Sequence, residues 1–267
     1  MTRSLAWNVA AATVSGVEVI QVRRTGKGCL SYIIGSRSEA VVIDAALDPE
    51  VYSGCFVNAD GGWWRRSTHT STPTICPGRD WSPGKPALSS GSPPWVGVSI
   101  PIDRSSKATG SHSVRVSWSL SIRLVIPPRA PPTLDSAAAF TGDTLFLAGV
   151  GRPDLEGGTR EEVEARARLL HASISRLLTL PEALLVLPGH AAEPIPFDRQ
   201  LLATTVGTIR DTVRLAGLEP NEFVEAVLAR IPPSPPNHSL IIEFNEHGEL
   251  PDAPGELEAG ANRCAIA

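Results

Sequence analysis

The chain has 267 residues, 42% of them hydrophobic, which is enough for one large core or two small ones. Its formal net charge is −4 and it has no basic run, so nucleic acid and anionic membrane surfaces are poor partners. Only 5% is aromatic while 24 prolines and 23 glycines are present, so part of the chain is expected to be loop or disordered.

At the N-terminus, Asn8 interrupts the weakly apolar run that begins at Leu5, which makes a poor signal peptide. No run reaches the length of a membrane span. Cys29, Cys55, Cys76 and Cys264 lack C-x-x-C spacing, which argues against a zinc knuckle. A cytoplasmic protein with reduced thiols is the expectation.

Residues 17–46 read as strands. Val17-Glu-Val-Ile-Gln-Val22 alternates, residues 29–34 follow a Gly-Lys-Gly turn, and Ala40-Val-Val-Ile-Asp44 is a buried run ending in a carboxylate. Residues 53–135 differ: Ser, Pro, Gly, Arg and Trp dominate, as in Ser89-Ser-Gly-Ser-Pro-Pro94. Residues 114–125 alternate in a strand-like way, but no helical periodicity runs through the interval. A disordered insertion or linker is the simplest reading of such a composition.

Order returns at Ala137. Thr159-Arg-Glu-Glu162 is a capping box that opens a helix with the stripe Val163, Ala167, Leu170, Ile174 and Leu177/Leu178, closed before Pro181. Residues 184–187 form a short buried strand ending in Pro-Gly-His. A second helix is expected over 201–215, a third from Pro220, and a late strand over 239–244 followed by a turn that holds His247. Strands, then helix, strand, helices and strand describe a layered α/β protein.

Two residues carry metal-ligand chemistry. Asp143, in Phe140-Thr-Gly-Asp-Thr-Leu-Phe146, follows an apolar run beside a glycine that lets the carboxylate approach a cation. His190, in Leu187-Pro-Gly-His190, ends a second such run. Asp143 alone reads equally as a helix or turn cap, and a lone histidine after a strand is more often a satisfied surface residue than a ligand; together, each at a strand end, they point to a metal site. Arg152, in Gly151-Arg-Pro-Asp154, could orient a ligand carboxylate or bind an anionic substrate group, with Asp154 as a cap. His69, His112, His171, His238 and His247 share no ligand spacing. No G-x-S-x-G elbow, Walker loop or G-x-G-x-x-G follows a strand.

Taken together, Gly28-Cys-Leu-Ser-Tyr-Ile-Ile-Gly35, Ala40-Val-Val-Ile-Asp-Ala45, the Asp143 segment, residues 149–155 and Leu187-Pro-Gly-His190 resemble the metallo-β-lactamase superfamily. The branch looks like persulfide dioxygenases and glyoxalase II-type hydrolases, and covers about residues 15–50 and 137–267 of a single domain spanning 1–267. The resemblance implies an αββα sandwich, incomplete or disordered in its middle segment, with metal at one sheet edge. Asp143 matches the family's metal-binding aspartate and His190 its late histidine. It implies Fe(II) with a glutathione persulfide substrate in the dioxygenases, zinc with a thioester in the hydrolases, and allows a homodimer.

Two family motifs are absent: H-x-H-x-D-H after the Asp44 strand, and a second Pro-Gly-His between residues 114 and 134. Codon degeneracy suggests a reason. Reading Thr68-His-Thr-Ser-Thr-Pro-Thr-Ile-Cys-Pro-Gly-Arg-Asp-Trp81 from the third base of each codon permits T-H-I-H-A-D-H-L-S-G-A-R-L, which restores the first motif. Pro128-Arg-Ala-Pro131 permits P-G-H in the other shifted frame. Residues from about 53 to about 135 are therefore read as out of frame between compensating shifts. Metal binding and activity of the literal chain are expected to be weak, unless His69 or Cys76 substitutes.

Overall fold

The computed structural model describes residues 7–14, 17–24, 28–36, 39–44, 52, 65–69, 98–99, 123–125, 138–155, 157–191, 196–234, 237–247, 257 and 265–267. Most of the atypical interval 53–135 lies outside the described residues, as do Cys55, Cys76, His112 and Cys264.

The first sheet is a meander with strand order β1 (Trp7–Val14), β2 (Val17–Arg24), β3 (Leu30–Ser36) and β4 (Glu39–Ile43). It is completed by β5 (Arg65–His69), which lies parallel to β4. β1 was not foreseen in the sequence. Its run pairs with β2 along its whole length, from Trp7 opposite Arg24 to Val14 opposite Val17.

The second sheet has the order β10 (Thr204–Thr205), β9 (Leu185–Pro188), β8 (Ala138–Gly142), β7 (Arg123–Val125) and β6 (Val98–Ser99). Here β8 and β9 are the parallel pair. Alternation decides which face each side chain serves. Ala138, Phe140 and Leu187 pack against Leu30, Tyr32, Ile34 and Ile43 of the first sheet. Ala139 and Val186, one step along, face the helices instead. Tyr32 and Phe140 meet edge to face across the two sheets, with ring centroids 5.0 Å apart.

The helical layer begins with α1 (Arg160–Leu178), whose capping box forms as its sequence dictates. Glu162 N donates to Thr159 Oγ1 at 3.3 Å, and Thr159 N donates to Glu162 Oε2 at 2.8 Å. Ala167, Leu170, Ile174 and Leu177 are buried from the expected stripe. α2 (Val206–Thr212), a 3₁₀ turn (Arg214–Gly217) and α3 (Pro220–Arg230) complete this cluster through Val206, Ile209, Leu215, Phe223 and Val227. Pro220 opens α3 as expected, where its missing N–H costs nothing.

Two expected elements are corrected. The helix expected over 201–215 starts only at Val206, because Thr205 is extended and caps it, accepting from Thr208 N at 3.1 Å. Val213, at φ −93° and ψ 87°, then breaks it. The strand expected over 239–244 is part of α4 (His238–His247), so His247 is helical rather than in a turn. Ile241 N bonds Asn237 O at 2.9 Å, the first helical turn. A short apolar run such as Leu-Ile-Ile fits either period. Among the described residues no helix is long and apolar enough to cross a membrane.

Candidate metal centre

Parallel pairing of β8 with β9 brings the C-terminal ends of both strands to one edge. Asp143 and His190 each follow immediately. Gly142 turns the chain there at φ +49°, a conformation that suits glycine, and its carbonyl accepts from Gly189 N at 2.9 Å. The result is direct contact between residues 47 apart: His190 Nδ1 lies 2.5 Å from Asp143 Oδ1. The imidazole is nearly enclosed, at 6% exposure, whereas the carboxylate is 20% exposed. Asp143 Oδ2 is buried and has no hydrogen-bond partner among the described residues.

The first sheet delivers two residues that sequence reasoning did not place here. Cys29 faces His190 in an antiparallel bridge, flanked by Leu30 N to Gly189 O at 2.8 Å and Ala191 N to Gly28 O at 2.7 Å. Its thiol hydrogen-bonds His190. Burial pushes the thiol pKa up, but the imidazole's charge and hydrogen bond, with Arg24 adding to them, bring it net below the ordinary value. Asp44, buried at the end of β4 with φ +53°, is the other. Its Oδ2 would lie 3.2 Å from a Cβ placed on Gly189, so only a glycine fits between Asp44 and the Gly142 backbone without displacement. The available signal for Asp44 was the one that marked Asp143, an apolar run ending in a carboxylate. Cys29 was passed over because only cysteine-to-cysteine spacing was weighed.

Tyr32 holds this edge from within. Its hydroxyl donates to Pro188 O at 2.6 Å and accepts from Gln21 Nε2 at 3.2 Å, while burial drives its pKa far upward and keeps it a donor. β5 ends at His69, opposite Ile43, which puts that backbone position at the same end of the sheet as Asp44.

Arg152 faces the protein's own backbone. Its Nε and Nη2 reach Asp154 Oδ1 and Oδ2 at 3.0 and 2.7 Å, and Nη2 also donates to Pro232 O at 2.9 Å. The carboxylate expected as a turn cap is therefore a bidentate partner of the arginine; it is the Asp154 carbonyl that accepts from Gly157 N. His171 lies on α1 against Phe223 and bonds Leu218 O, and His238 bonds Leu155 O, so neither joins the site.

Gly151 is set against the Asp143 backbone. A Cβ there would overlap the Asp143 carbonyl oxygen, and Gly151 N already bonds Thr144 O at 3.1 Å. Gly151→Ala is expected to destabilise the protein by at least about 1–3 kcal/mol, since backbone rather than a flexible side chain must move. A urea melt checks this, and an unchanged midpoint would contradict the packing described.

Among the described residues, no three His, Cys, Asp or Glu side chains are arranged to hold a metal ion.

No family model matches the chain. It is 46% identical over 59 residues to the probable metallo-hydrolase YqgX of Bacillus subtilis, covering 22% of this chain and 25% of that protein. It is 35% identical over 97 residues to a probable metallo-hydrolase of Burkholderia pseudomallei, covering 35% and 31%. The chain thus spans less than a third of the length of these curated relatives. Its fold is similar to the crystal structure of a metallo-beta-lactamase from Staphylococcus aureus, with a TM-score of 0.52 and 16% identity over 92% of this chain and 74% of that one. Two packed mixed sheets with Asp and His at one edge agree with that likeness: the chain has the metallo-β-lactamase fold, and part of its sequence is similar to metallo-hydrolases.

Proposed function

We propose that this chain comes from a metal-dependent, persulfide dioxygenase-like lineage, one that converts glutathione persulfide and O₂ to sulfite. The observation that carries the reading is convergence. Asp143 and His190 meet at 2.5 Å at the ends of parallel strands, beside the buried Asp44, on the edge where the resemblance expects metal. The orphaned Asp143 Oδ2 is the atom one would expect to face a cation.

The donor set as it stands does not fit such an ion. A catalytic metal takes three or more protein ligands. Here the imidazole is engaged by the carboxylate that would be its fellow ligand, and the family's other histidines are absent from the sequence. This favours a second reading, a non-catalytic or defective member of the family. A thioester hydrolase of glyoxalase II type is the alternative within the enzyme class.

Three measurements separate these readings. Sulfite formation from glutathione persulfide with O₂ uptake supports the dioxygenase lineage; thiol release from an acyl-glutathione supports the hydrolase. Neither product, with no rise in melting temperature on adding Fe(II) or Zn(II), identifies the non-catalytic member, since a ligand that binds only the native state must raise it.

A further inference from the structure

A second buried guanidinium, that of Arg23 in β2, is only partly matched. Its side chain is 7% exposed, and Nη1 is buried with no hydrogen-bond partner among the described residues. Nε donates to Gln21 Oε1 at 2.9 Å and Nη2 donates to Gln200 O, which fixes the plane of the group. Gln21 is held in turn, accepting from Leu202 N at 2.9 Å and donating to Leu202 O at 3.0 Å. Arg23 stands opposite Leu30 in the β2–β3 pair, and Leu30 N bonds Gly189 O. The cation therefore belongs to the strand end that leads to His190.

What covers this cation is loosely built. Phe197 lies over the guanidinium with its ring centroid 5.3 Å away, yet the residue is 36% exposed. Asp198 Oδ1 stops 3.5 Å from Nη2, on a side chain 56% exposed, and the same oxygen accepts from Gln200 N at 3.0 Å. Arg199 follows at φ +66°, a conformation that a residue with a side chain adopts only at a cost. A buried charge is ordinarily matched by a partner in close hydrogen-bond contact. Here the carboxylate stands further out, and Nη1 is left over.

We infer that Arg23 anchors a site for the carboxylate of a small anionic ligand, and that Asp198 stands in for that carboxylate when the ligand is absent. The end-on edge of the guanidinium, Nη1 with Nη2, presents two parallel N–H groups that match two carboxylate oxygens. An entering carboxylate displaces Asp198, which turns out into the solvent that already reaches it, and Phe197, on the same segment, moves with it. The inference rests on the reading of the substrate as a glutathione derivative, one of whose carboxylates it would seat. Binding is measured without metal or turnover, so it can fail while sulfite formation succeeds, and the reverse.

The test titrates S-methylglutathione, which carries two carboxylates and no thiol, into the full chain by calorimetry, with the melting temperature as a second readout. The parent is expected to bind it and to melt higher in its presence. Asp198→Asn removes the internal competitor and is expected to bind about 2- to 5-fold more tightly, the span set by an exposed ion pair. Arg23→Met, checked for folding by circular dichroism, is expected to bind at least about 10-fold more weakly. Should that variant fail to fold, Asp198→Asn still decides, because its side chain is exposed. The diamide of the same ligand, which lacks both carboxylates, is expected not to bind. No binding by either the parent or Asp198→Asn overturns the inference, as does an Asp198→Asn affinity at or below the parent's. So do a folded Arg23→Met that binds like the parent and equal binding of the diamide.

Discussion

Replacing Arg152 with alanine is expected to cost about 3–5 kcal/mol of stability, the usual loss when one partner of a buried ion pair is removed. The guanidinium is fully enclosed, at 0% side-chain exposure, and Asp154 is only 15% exposed. Alanine would strand the Asp154 carboxylate without its bidentate partner and leave the Pro232 carbonyl without its donor. Roughly 5–15 kcal/mol of total stability is usual for a domain, so the loss should be plain in a urea titration. Arg152→Lys is expected to recover only part of it, because an ammonium group cannot present the planar fork that both carboxylate oxygens accept. The same pair of variants tests the expectation, read from sequence, that Arg152 binds a substrate anion. In that case the melts would stay within about 0.5 kcal/mol of the parent, as for a surface change, and substrate affinity alone would fall.

What the sequence made legible is unevenly distributed, for physical reasons. The start of α1 was readable because its capping box is local: Thr159 and Glu162 satisfy each other's backbone within one turn. Asp143 and His190 were readable because each ends an apolar run, and parallel pairing of the two runs suffices to bring the residues together. Cys29 could not be found that way. Its relation to His190 is a bridge between sheets, set by bonds from Leu30 and Ala191 that no local pattern announces. α4 was misread because its apolar triplet satisfies either period, and α2 because Thr204 and Thr205 join β9 before the helix can begin. Arg152 was assigned to a ligand because its partners at Pro232 and Pro233 lie some eighty residues further on.

The literal chain is expected to carry well under one equivalent of iron or zinc after dialysis, whereas a chain re-encoded across residues 53–135 in the compensating frames is expected to hold at least one. The contrast follows from donor count. The literal chain offers Asp143 and His190, and the imidazole Nδ1 is already bonded to Asp143 Oδ1. Two protein donors fall short of the three that a catalytic site keeps. Cys29 does not make up the number, since no three donors converge among the described residues. The re-encoded segment would follow the β4 edge with T-H-I-H-A-D-H, close to where β5 already brings Thr68 and His69 alongside Val42 and Ile43. His190 would then be one donor among several, and Asp143 Oδ2 would gain the partner it lacks among the described residues. Elemental analysis of both proteins after loading with Fe(II) or Zn(II) is the measurement, and Asp143→Asn in the re-encoded chain is expected to lower its metal content. Resequencing the interval, with peptide masses across it, reports independently on the frame. One full equivalent of metal retained by the literal chain would mean that its donors reorganise on binding, and the 2.5 Å contact between His190 and Asp143 would then describe only the metal-free state.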